Sequence, residues 1–339
     1  MAMDYSDVIA KAWNRNILFS VMLELTYRCN LDCFYCYNDR RAQGQPMTMA
    51  DYLRLLEELK AMGTMNLTFT GGEPLASPYF FKLGRAARAK GFVVRIKSNG
   101  HALDPNRALR LKREVDPFTV EVSLHGATAE THDRQTRVPG SFHRLMRNLQ
   151  GMKEVGLRVQ LNATLTSWNE GEMVQMHELA ERLGMRLQMD ARVTPRDDGD
   201  LTPLQIAPSR KAVERLMALK QLQVGAAPKQ GKAVSVNYHC GAGVSSVTVD
   251  PWGRVYPCVQ WRRPLGNLHQ QSMQAIWECS PQLMEVRAIN RQVKGMVDEQ
   301  GMKKAAFCPG LAEQRTGSPL VFDGETLHRM DILRSIKKG

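Results

Sequence analysis

Six short apolar runs alternate with helix-like segments between residues 18 and 189, and this alternation restricts the fold more than any other feature of the chain. Each run is continuous and bounded by turn residues, which is typical of parallel strands buried on both faces. The runs cover residues 18–26, 65–70, 92–97, 118–124, 157–163 and 185–189. Strands that alternate with helices predict an α/β fold with a parallel sheet. The periodicity alone does not distinguish a doubly wound sheet from a barrel.

The segments between these runs carry apolar residues at helical spacing. One predicted helix begins at Thr48, with Asp51 three residues later as a near capping box, and ends at Gly63. The other predicted helices cover residues 77–90, 105–114, 141–154 and 170–183.

The pattern changes near residue 192. Residues 194–209 are rich in Pro, Asp and Gly and predict a long loop, which a helix over 210–223 and a linker over 225–232 follow. Beyond the linker, two short apolar runs on either side of an Asp-Pro-Trp-Gly turn at 250–253 predict a β-hairpin.

The length and composition agree with this division. A chain of 339 residues is long enough for two domains, and 43% hydrophobic with 24% charged residues excludes collagen-like and disordered proteins. We expect an N-terminal segment over 1–17, an α/β domain over 18–225 and a smaller α+β domain with the hairpin over 226–339. No apolar run reaches the roughly 20 residues that cross a bilayer, and no secretory signal is visible, so a cytoplasmic protein is expected.

The chain has seven cysteines. An odd number without an export signal argues against a disulfide framework and favours metal or redox chemistry. Cys29, Cys33 and Cys36 lie in one short loop directly after the first predicted strand. Thiolates select zinc, copper(I) or iron–sulfur clusters, and three of them leave one position open for a substrate or cofactor. A half zinc site completed elsewhere and buried thiols are the alternatives.

Small or polar residues also follow the next three strands. They are the segments Thr70-Gly71-Gly72-Glu73-Pro74, Ser98-Asn99-Gly100 and Ser123-Leu124-His125-Gly126. The glycines allow close approach of the backbone to a ligand, and a glutamate accepts hydrogen bonds from an amine. Since the carboxyl ends of parallel strands share one edge, these segments predict one continuous site with the cysteine loop.

Cys-x3-Cys-x-Tyr-Cys after the first strand, followed by Gly-Gly-Glu-Pro after the second, resembles the radical S-adenosylmethionine superfamily. The resemblance covers about residues 18–225 and implies a partial (β/α)6 TIM-type barrel. It implies a [4Fe–4S] cluster on Cys29, Cys33 and Cys36, whose open iron takes the amino and carboxylate groups of S-adenosylmethionine. The implied reaction is one-electron cleavage to methionine and a 5′-deoxyadenosyl radical that abstracts a substrate hydrogen.

The resemblance also assigns cofactor-binding positions. They are Tyr35, Gly71, Gly72, Glu73, Pro74, Ser98, Asn99, Ser123, Arg137 and Asn162. Residues 71–73 resemble the edge that binds the methionyl amine, and Ser98 and Ser123 resemble polar groups near the ribose. Arg137 resembles the arginine that pairs with the methionyl carboxylate, and Arg134 competes with it for that role.

A second group of cysteines lies in the last hundred residues. Cys240 and Cys258 have the spacing Cys-x12-Gly-x4-Cys, which resembles the SPASM or twitch extensions that hold auxiliary iron–sulfur clusters in this superfamily. Cys308 resembles the late cysteine that returns to the first auxiliary cluster. The dense run of cysteines before that position is missing, so one auxiliary cluster is expected. Its fourth ligand is Cys279, His239, a substrate atom or nothing, and a structural zinc site is the alternative.

The resemblance implies a radical S-adenosylmethionine oxidoreductase or maturase that acts on a ribosomally made peptide. The alternatives are an enzyme acting on a small molecule or haem precursor, or a non-catalytic metal-binding or electron-carrier protein. With about 17 residues before the first strand, a separate leader-peptide-binding partner is expected. Reduced flavodoxin or ferredoxin is the expected electron donor, since an acidic protein profits from the net charge of +12. Nucleic acid is disfavoured because no aromatic-basic motif is visible.

Overall fold

The structure is a computed structural model that describes residues 5–39, 41–218, 236–301 and 307–336. The chain divides into two compact units, each assembled from separate stretches. We call Glu24–Gln43 with Leu67–Gly225 the core unit, and Met1–Leu23 with Gly44–Asn66 and Ala226–Gly339 the auxiliary unit. The predicted linker over 225–232, and the last residues of the helix predicted over 210–223, lie outside the described residues.

The strands of the described residues are β1 Ser20–Glu24, β2 Asn66–Thr70, β3 Val93–Ser98, β4 Thr119–Ser123, β5 Val159–Thr164, β6 Arg186–Asp190, β7 Ser246–Val249, β8 Arg254–Tyr256 and β9 Gly266–Asn267. The α-helices are α1 Tyr5–Asn14, α2 Met49–Ala61, α3 Phe80–Ala89, α4 Pro105–Glu114, α5 Ala129–Thr136, α6 Ser141–Glu154, α7 Met173–Leu183, α8 Arg210–Ala218, α9 Met273–Cys279, α10 Pro281–Glu299, α11 Pro309–Thr316 and α12 Gly324–Ile336. The predicted α/β class is confirmed, since six strands of a mostly parallel sheet alternate with helices and antiparallel hairpin strands follow, as in a partial barrel with a smaller extension.

In the core unit the strands follow one another in the order β2-β3-β4-β5-β6. The pairs from β3 to β6 are parallel and place Lys97 beside Glu121, and Glu121 beside Gln160. The prediction that every run is buried on both faces holds for β2 but is wrong for β3 and β4, in which buried and partly exposed residues alternate. Charged residues on the second face, such as Lys97 and Glu121, need water or a ligand, so that face is not packed as an apolar core.

The helices of the core unit follow their predicted bounds where an apolar stripe is present. The helices predicted over 105–114 and 141–154 coincide with α4 and α6. The helix predicted over 77–90 begins three residues later, after a 3-10 turn at Pro74–Ala76. The sequence pattern does not predict helix α5, because this helix is short and polar. Its N-cap is Thr128, whose side chain accepts a hydrogen bond from the Thr131 N–H at 3.3 Å.

In the auxiliary unit, β1 pairs in parallel with β7, and β7, β8 and β9 form an antiparallel series. The predicted hairpin is therefore confirmed. Thr48 caps the start of helix α2 with the predicted capping box: the Asp51 N–H donates to Thr48 Oγ1 at 3.2 Å, and the Thr48 N–H donates to Asp51 Oδ2 at 2.8 Å. Among the described residues, no helix combines the length and the apolar character that a membrane span requires.

Candidate functional site

The cysteine loop after β1 is held in the core unit by the end of helix α5. The Asp32 N–H donates to the Thr136 carbonyl and the Phe34 N–H donates to the Gln135 carbonyl, both at 3.0 Å. None of the three cysteines forms a disulfide bond; Cys29 is exposed, whereas Cys33 and Cys36 are partly buried. The loop therefore has a fixed backbone and presents one thiol to solvent.

Two glycines bring the end of β2 against this loop. The Gly72 N–H donates to the Thr26 carbonyl at 2.7 Å, and the Glu73 N–H donates to the Arg28 carbonyl at 2.9 Å. A Cβ atom at Gly71 would lie 2.2 Å from the Thr26 carbonyl oxygen, and one at Gly72 would lie 2.5 Å from that of Arg28. Gly71 also has a φ of +130°, which a residue with a side chain rarely adopts. Both positions therefore require glycine.

Glu73 joins the ends of β2 and β3. Its carboxylate is 1% exposed and accepts hydrogen bonds from Ser98 Oγ at 3.0 Å, from the Asn99 N–H at 2.9 Å and from the Leu75 N–H at 3.1 Å. Burial raises the pKa of Glu73 to about 7, although these hydrogen bonds act in the opposite direction. Pro74 is buried and opens the 3-10 turn that Glu73 caps. The structure thus brings Glu73, Ser98 and Asn99 together.

Asn99 connects this group to the cysteine loop. Its Nδ2 donates to Asn30 Oδ1 at 2.9 Å and lies 3.6 Å from Cys29 Sγ. A second hydrogen bond to the same sulfur comes from the Leu31 N–H at 3.4 Å. Amide donors of this kind stabilise a thiolate, the form in which cysteine binds iron.

Tyr35 is tied to the end of β4. Its hydroxyl lies 2.8 Å from Nδ1 of His125, and burial raises the pKa of the phenol well above its usual value. Burial, with a smaller contribution from His101, lowers the pKa of His125 to about 4, so this imidazole is neutral at pH 7. His125 was part of the predicted strand-end segment, but its partnership with Tyr35 was not foreseen, because the two residues are far apart in sequence.

The two candidate arginines have different neighbours. Arg137 Nη1 lies 3.4 Å from Asp32 Oδ2 in the cysteine loop, and its guanidinium stacks over the Phe34 ring at 4.7 Å. It adopts a left-handed backbone conformation with a φ of +56°, which is uncommon for a residue with a side chain. Arg134 instead stacks over the Trp168 ring at 4.2 Å. Of the two, Arg137 has the contact with the cysteine loop.

Asn162 lies in a row of polar side chains that crosses β3 to β6. Its Nδ2 donates to Glu121 Oε2 at 3.0 Å, and its Oδ1 accepts from Gln160 Nε2 at 2.9 Å. Lys97 Nζ donates to Glu121 Oε2 at 2.5 Å, and Gln160 Nε2 donates to Gln188 Oε1 at 3.0 Å. We call these five residues the polar row. Ser123 pairs with Asn162 in the strand register, at the carboxyl end of β4.

In the auxiliary unit three cysteines are close to one another. Burial, with smaller contributions from the nearby Cys308 and Cys240 thiols, raises the pKa of the Cys258 thiol to about 12. A Cβ atom at Gly310 would lie 2.6 Å from Trp261 Cβ and 2.7 Å from the Gln260 carbonyl oxygen, so the segment after Cys308 approaches the segment after Cys258 closely.

The candidate fourth ligands of this group have other positions. Cys279 is exposed at the last position of α9. His239 is buried, with Nε2 at 3.0 Å from the Phe307 carbonyl oxygen.

The donor chemistry of both groups fits iron–sulfur clusters. Thiol sulfur is the usual protein ligand of such clusters, and the glycines at 71 and 72 allow the end of β2 to pack against the segment that leads into the first group. Within the ranges that the structure describes, no three His, Cys, Asp or Glu side chains meet closely enough to hold a single metal ion.

Comparison with known proteins identifies two domains. Residues 23–180 match the model of the radical SAM superfamily, and residues 240–308 match that of the SPASM iron–sulfur cluster-binding domain. The AdoMet-dependent heme synthase of Methanosarcina barkeri is 27% identical over 337 residues, covering 90% of this chain and 95% of that protein. The mycofactocin maturase MftC of Mycobacterium ulcerans is 28% identical over 284 residues, covering 78% of this chain and 75% of its own.

The fold is also similar to a solved structure. Native anSMEcpe with bound AdoMet and the Cp18Cys peptide superposes with a TM-score of 0.69 at 16% sequence identity, covering 94% of this chain and 99% of that one. At this level of identity the likeness concerns the fold.

Proposed function

The chain is a radical SAM superfamily enzyme with a C-terminal SPASM iron–sulfur domain, and from this premise we propose that it modifies a ribosomally made peptide by hydrogen abstraction. Its cofactors are a [4Fe–4S] cluster with S-adenosylmethionine and an auxiliary iron–sulfur cluster. When bound, the first cluster supplies the electron that cleaves S-adenosylmethionine to methionine and the 5′-deoxyadenosyl radical that takes the substrate hydrogen. The protein binds, orients and shields the reactants.

We assign the first cluster to Cys29, Cys33 and Cys36. Three thiols leave one iron of a four-iron cluster without a protein ligand, and S-adenosylmethionine takes that position. The exposure of Cys29 supports an approach from solvent on this side of the loop. Because Gly71 and Gly72 lack side chains, the end of β2 packs directly against the backbone that leads into the loop.

The methionyl part of S-adenosylmethionine carries an amine and a carboxylate. Glu73 would accept hydrogen bonds from the amine, whose positive charge favours the ionised carboxylate although burial raises the pKa of Glu73 to about 7, and its bonds to Ser98 and Asn99 hold the carboxylate in one orientation. Arg137 binds the carboxylate by exchanging its contact with Asp32, which at 3.4 Å is long for a charged hydrogen bond. The stacking of Arg137 on Phe34 keeps the guanidinium beside the cysteine loop during this exchange.

Residues in the cysteine loop and at the ends of β4 and β5 would hold the adenosine part. Tyr35, positioned by its bond to His125, offers an aromatic surface, while Ser123 and Asn162 offer polar groups. We assign the auxiliary cluster to Cys240, Cys258 and Cys308, because the Cys240 and Cys308 thiols are near enough to Cys258 to contribute to its raised pKa. Cys279, exposed on α9, is not included in this assignment.

The polar row supports a peptide substrate. The Gln160, Asn162 and Gln188 amides combine donors and acceptors, and such groups can exchange hydrogen bonds with the amides of a peptide backbone. An apolar macrocycle would cover the Lys97–Glu121 pair and these amides, which would keep their hydrogen bonds to one another but lose those to water, at a cost of about 1–3 kcal/mol for each hydrogen bond lost. The proposal of a peptide substrate therefore rests on the polar row, which lies on one face of strands β3 to β6.

A haem precursor is the second candidate. It is favoured by the M. barkeri relative, named a heme synthase, whose similarity extends over nearly the whole chain. The Lys97 ammonium in the polar row could pair with the propionate of such a substrate. A peptide and a haem precursor differ in shape and in the number of hydrogen bonds that they can form with the polar row.

Deuterium transfer distinguishes these candidates. The chain is reconstituted with iron and sulfide without oxygen, then given dithionite, S-adenosylmethionine and either a deuterated synthetic peptide or a porphyrin with deuterated propionates. We expect deuterium in 5′-deoxyadenosine with the peptide and none with the porphyrin. Transfer from the porphyrin alone would establish the second candidate. Failure to form any 5′-deoxyadenosine would contradict the assignment of the first cluster.

The electron donor and the cellular location belong to the same proposal. We propose reduced flavodoxin or ferredoxin as donor, because an acidic protein is attracted by a net charge of +12. On α4, Arg110 and Lys112 are paired with Glu114 and Asp116, so these two cations contribute little to that attraction. A separate leader-peptide-binding protein and a cytoplasmic location, where thiols stay reduced, complete the proposal.

A further inference from the structure

We propose that Asn290 holds Cys240 in place and raises the reduction potential of the auxiliary cluster through a hydrogen bond to the Cys240 sulfur. The inference rests on the proposed assignment of that cluster to Cys240, Cys258 and Cys308. It concerns helix α10, which lies outside the hairpin and contributes no cysteine to the cluster.

The acceptor side of the Asn290 amide fixes the backbone at Cys240. Asn290 is 0% exposed, and its Oδ1 accepts hydrogen bonds from the His239 N–H at 2.8 Å and the Cys240 N–H at 3.0 Å. Its backbone carbonyl accepts a further bond from the His239 N–H at 3.3 Å. Two consecutive backbone N–H groups are thus satisfied by one side chain from a helix 50 residues away in sequence.

The donor side of the same amide faces the cysteine itself. Asn290 Nδ2 donates to the Cys240 carbonyl at 3.1 Å, to the Ala242 carbonyl at 3.2 Å and to Cys240 Sγ at 3.4 Å. A carboxamide provides both an acceptor and donors in one side chain of this size, whereas a carboxylate provides only acceptors. Leucine would fill a similar volume and provide neither. The observed contacts therefore require the amide.

The contact with sulfur has an electronic consequence. Reduction adds one negative charge to the cluster and its thiolates, and a donor aimed at a thiolate stabilises the more negative state. The bond from Asn290 therefore favours the reduced auxiliary cluster. A hydrogen bond to a charged group is worth enough to change the reduction equilibrium by about tenfold.

A redox titration followed by electron paramagnetic resonance tests the inference. Cys29, Cys33 and Cys36 are replaced by Ala in the full chain, so that the auxiliary cluster is observed alone. In this background, Asn290→Asp keeps the acceptor for His239 and Cys240 but loses the donor, and Asn290→Leu loses both without adding charge. Asn267→Asp adds the same charge elsewhere in the auxiliary unit and keeps the acceptor for the His269 N–H.

We expect Asn290→Asp to bind iron and to shift the reduction equilibrium about tenfold toward the oxidised state, which is about 59 mV for one electron. Asn290→Leu should shift it in the same direction and bind less iron, whereas Asn267→Asp should leave it unchanged. An unchanged potential in both Asn290 variants, or equal loss of iron from both, would overturn the inference. If the chain without Cys29, Cys33 and Cys36 binds no iron at all, the assignment of the auxiliary cluster itself is wrong.

Discussion

The two cysteine groups of this chain differ in how firmly they are enclosed. In the core unit Cys29 is exposed, and the Asn99 amide reaches its sulfur at 3.6 Å while donating a shorter bond to Asn30. In the auxiliary unit the fully buried Asn290 binds both the backbone and the sulfur of Cys240. An accessible group suits a cluster whose ligand is exchanged in every turnover. An enclosed group suits one that is retained.

The enclosures also differ in their origin. The first loop is held by neighbours that belong to successive strand ends, namely Gly72, Glu73 and Asn99. The second group is held by a helix and by the close approach of Gly310 to Trp261. The first arrangement follows from the alternation of strands and helices, whereas the second depends on contacts between distant segments.

The largest expected effect comes from removing each cysteine group separately. Replacing Cys29, Cys33 and Cys36 by Ala should reduce formation of 5′-deoxyadenosine to background, since the electron then has no path to S-adenosylmethionine. Replacing Cys240 and Cys258 by Ala should spare most of this cleavage and remove the modified product. Chromatography of the nucleoside and mass spectrometry of the substrate measure the two outcomes. If both variants lost cleavage equally, the division of roles between the groups would be wrong.

The next effect concerns the glycines that allow close approach. Gly72→Ala should deplete the first cluster and Gly310→Ala the auxiliary cluster, because each new Cβ would lie less than 3 Å from backbone or side-chain atoms. Each should also lower the free energy of unfolding by about 1–3 kcal/mol. Iron analysis and electron paramagnetic resonance after reconstitution identify which cluster is lost.

Two other glycines provide controls for these variants. Gly171 in the core unit and Gly295 in α10 have open space around the position of a Cβ atom. Alanine at either position should leave both clusters in place, and at Gly295 it should stabilise the helix by about 0.5–1 kcal/mol. Loss of a cluster in either control would show that the clusters respond to general destabilisation rather than to the close contacts.

The sequence predicts the parts of the molecule that depend on local pattern. The bounds of α4 and α6 follow from their apolar stripes and their starting residues. The alternation of Arg95 and Lys97 with buried neighbours on β3 is also visible in the sequence, but it is overlooked when the run is treated as continuously apolar. The polar face of the sheet could therefore have been predicted.

Other features are beyond sequence patterns because their partners are distant. The bond between Tyr35 and His125 joins residues 90 positions apart, and that between Asn290 and Cys240 joins residues 50 positions apart. In neither pair does the sequence motif around one residue indicate the other residue as its partner. The choice between Arg134 and Arg137 likewise depends on which one contacts the cysteine loop, and the spacing of the two residues does not settle this.

A smaller effect is expected for these two arginines. Arg137→Lys should weaken binding of S-adenosylmethionine about tenfold, because a lysine cannot form the planar fork that suits a carboxylate. Arg134→Lys should have a smaller effect, since Arg134 stacks on Trp168 instead of reaching Asp32. Isothermal titration of the reconstituted protein without oxygen compares the two. A larger loss for Arg134→Lys would reverse the assignment.

The smallest effect is expected for variants that lower the free energy of unfolding of one unit without changing its cluster. Thr48→Ala removes the cap of α2 in the auxiliary unit, and Asp104→Ala removes the cap of α4 in the core unit. Each should cost about 1 kcal/mol in the free energy of unfolding, measured with denaturant on the metal-free chain, and neither should change the iron content after reconstitution.

The pH of this measurement matters for α2. Hydrogen bonds from Thr48 lower the pKa of Asp51 to about 2, below its usual value of 3.8. A lowered pKa means that the folded state favours the carboxylate, so its contribution is complete above pH 3.8 and is lost as the pH falls toward 2. At neutral pH the Asp51 carboxylate is therefore ionised, and its contribution to the cap of α2 is complete. A change of iron content in Thr48→Ala or Asp104→Ala would mean that cluster binding depends on the stability of the unit that holds the cluster. The difference between the exposed and the enclosed cysteine group would then not explain which cluster is retained.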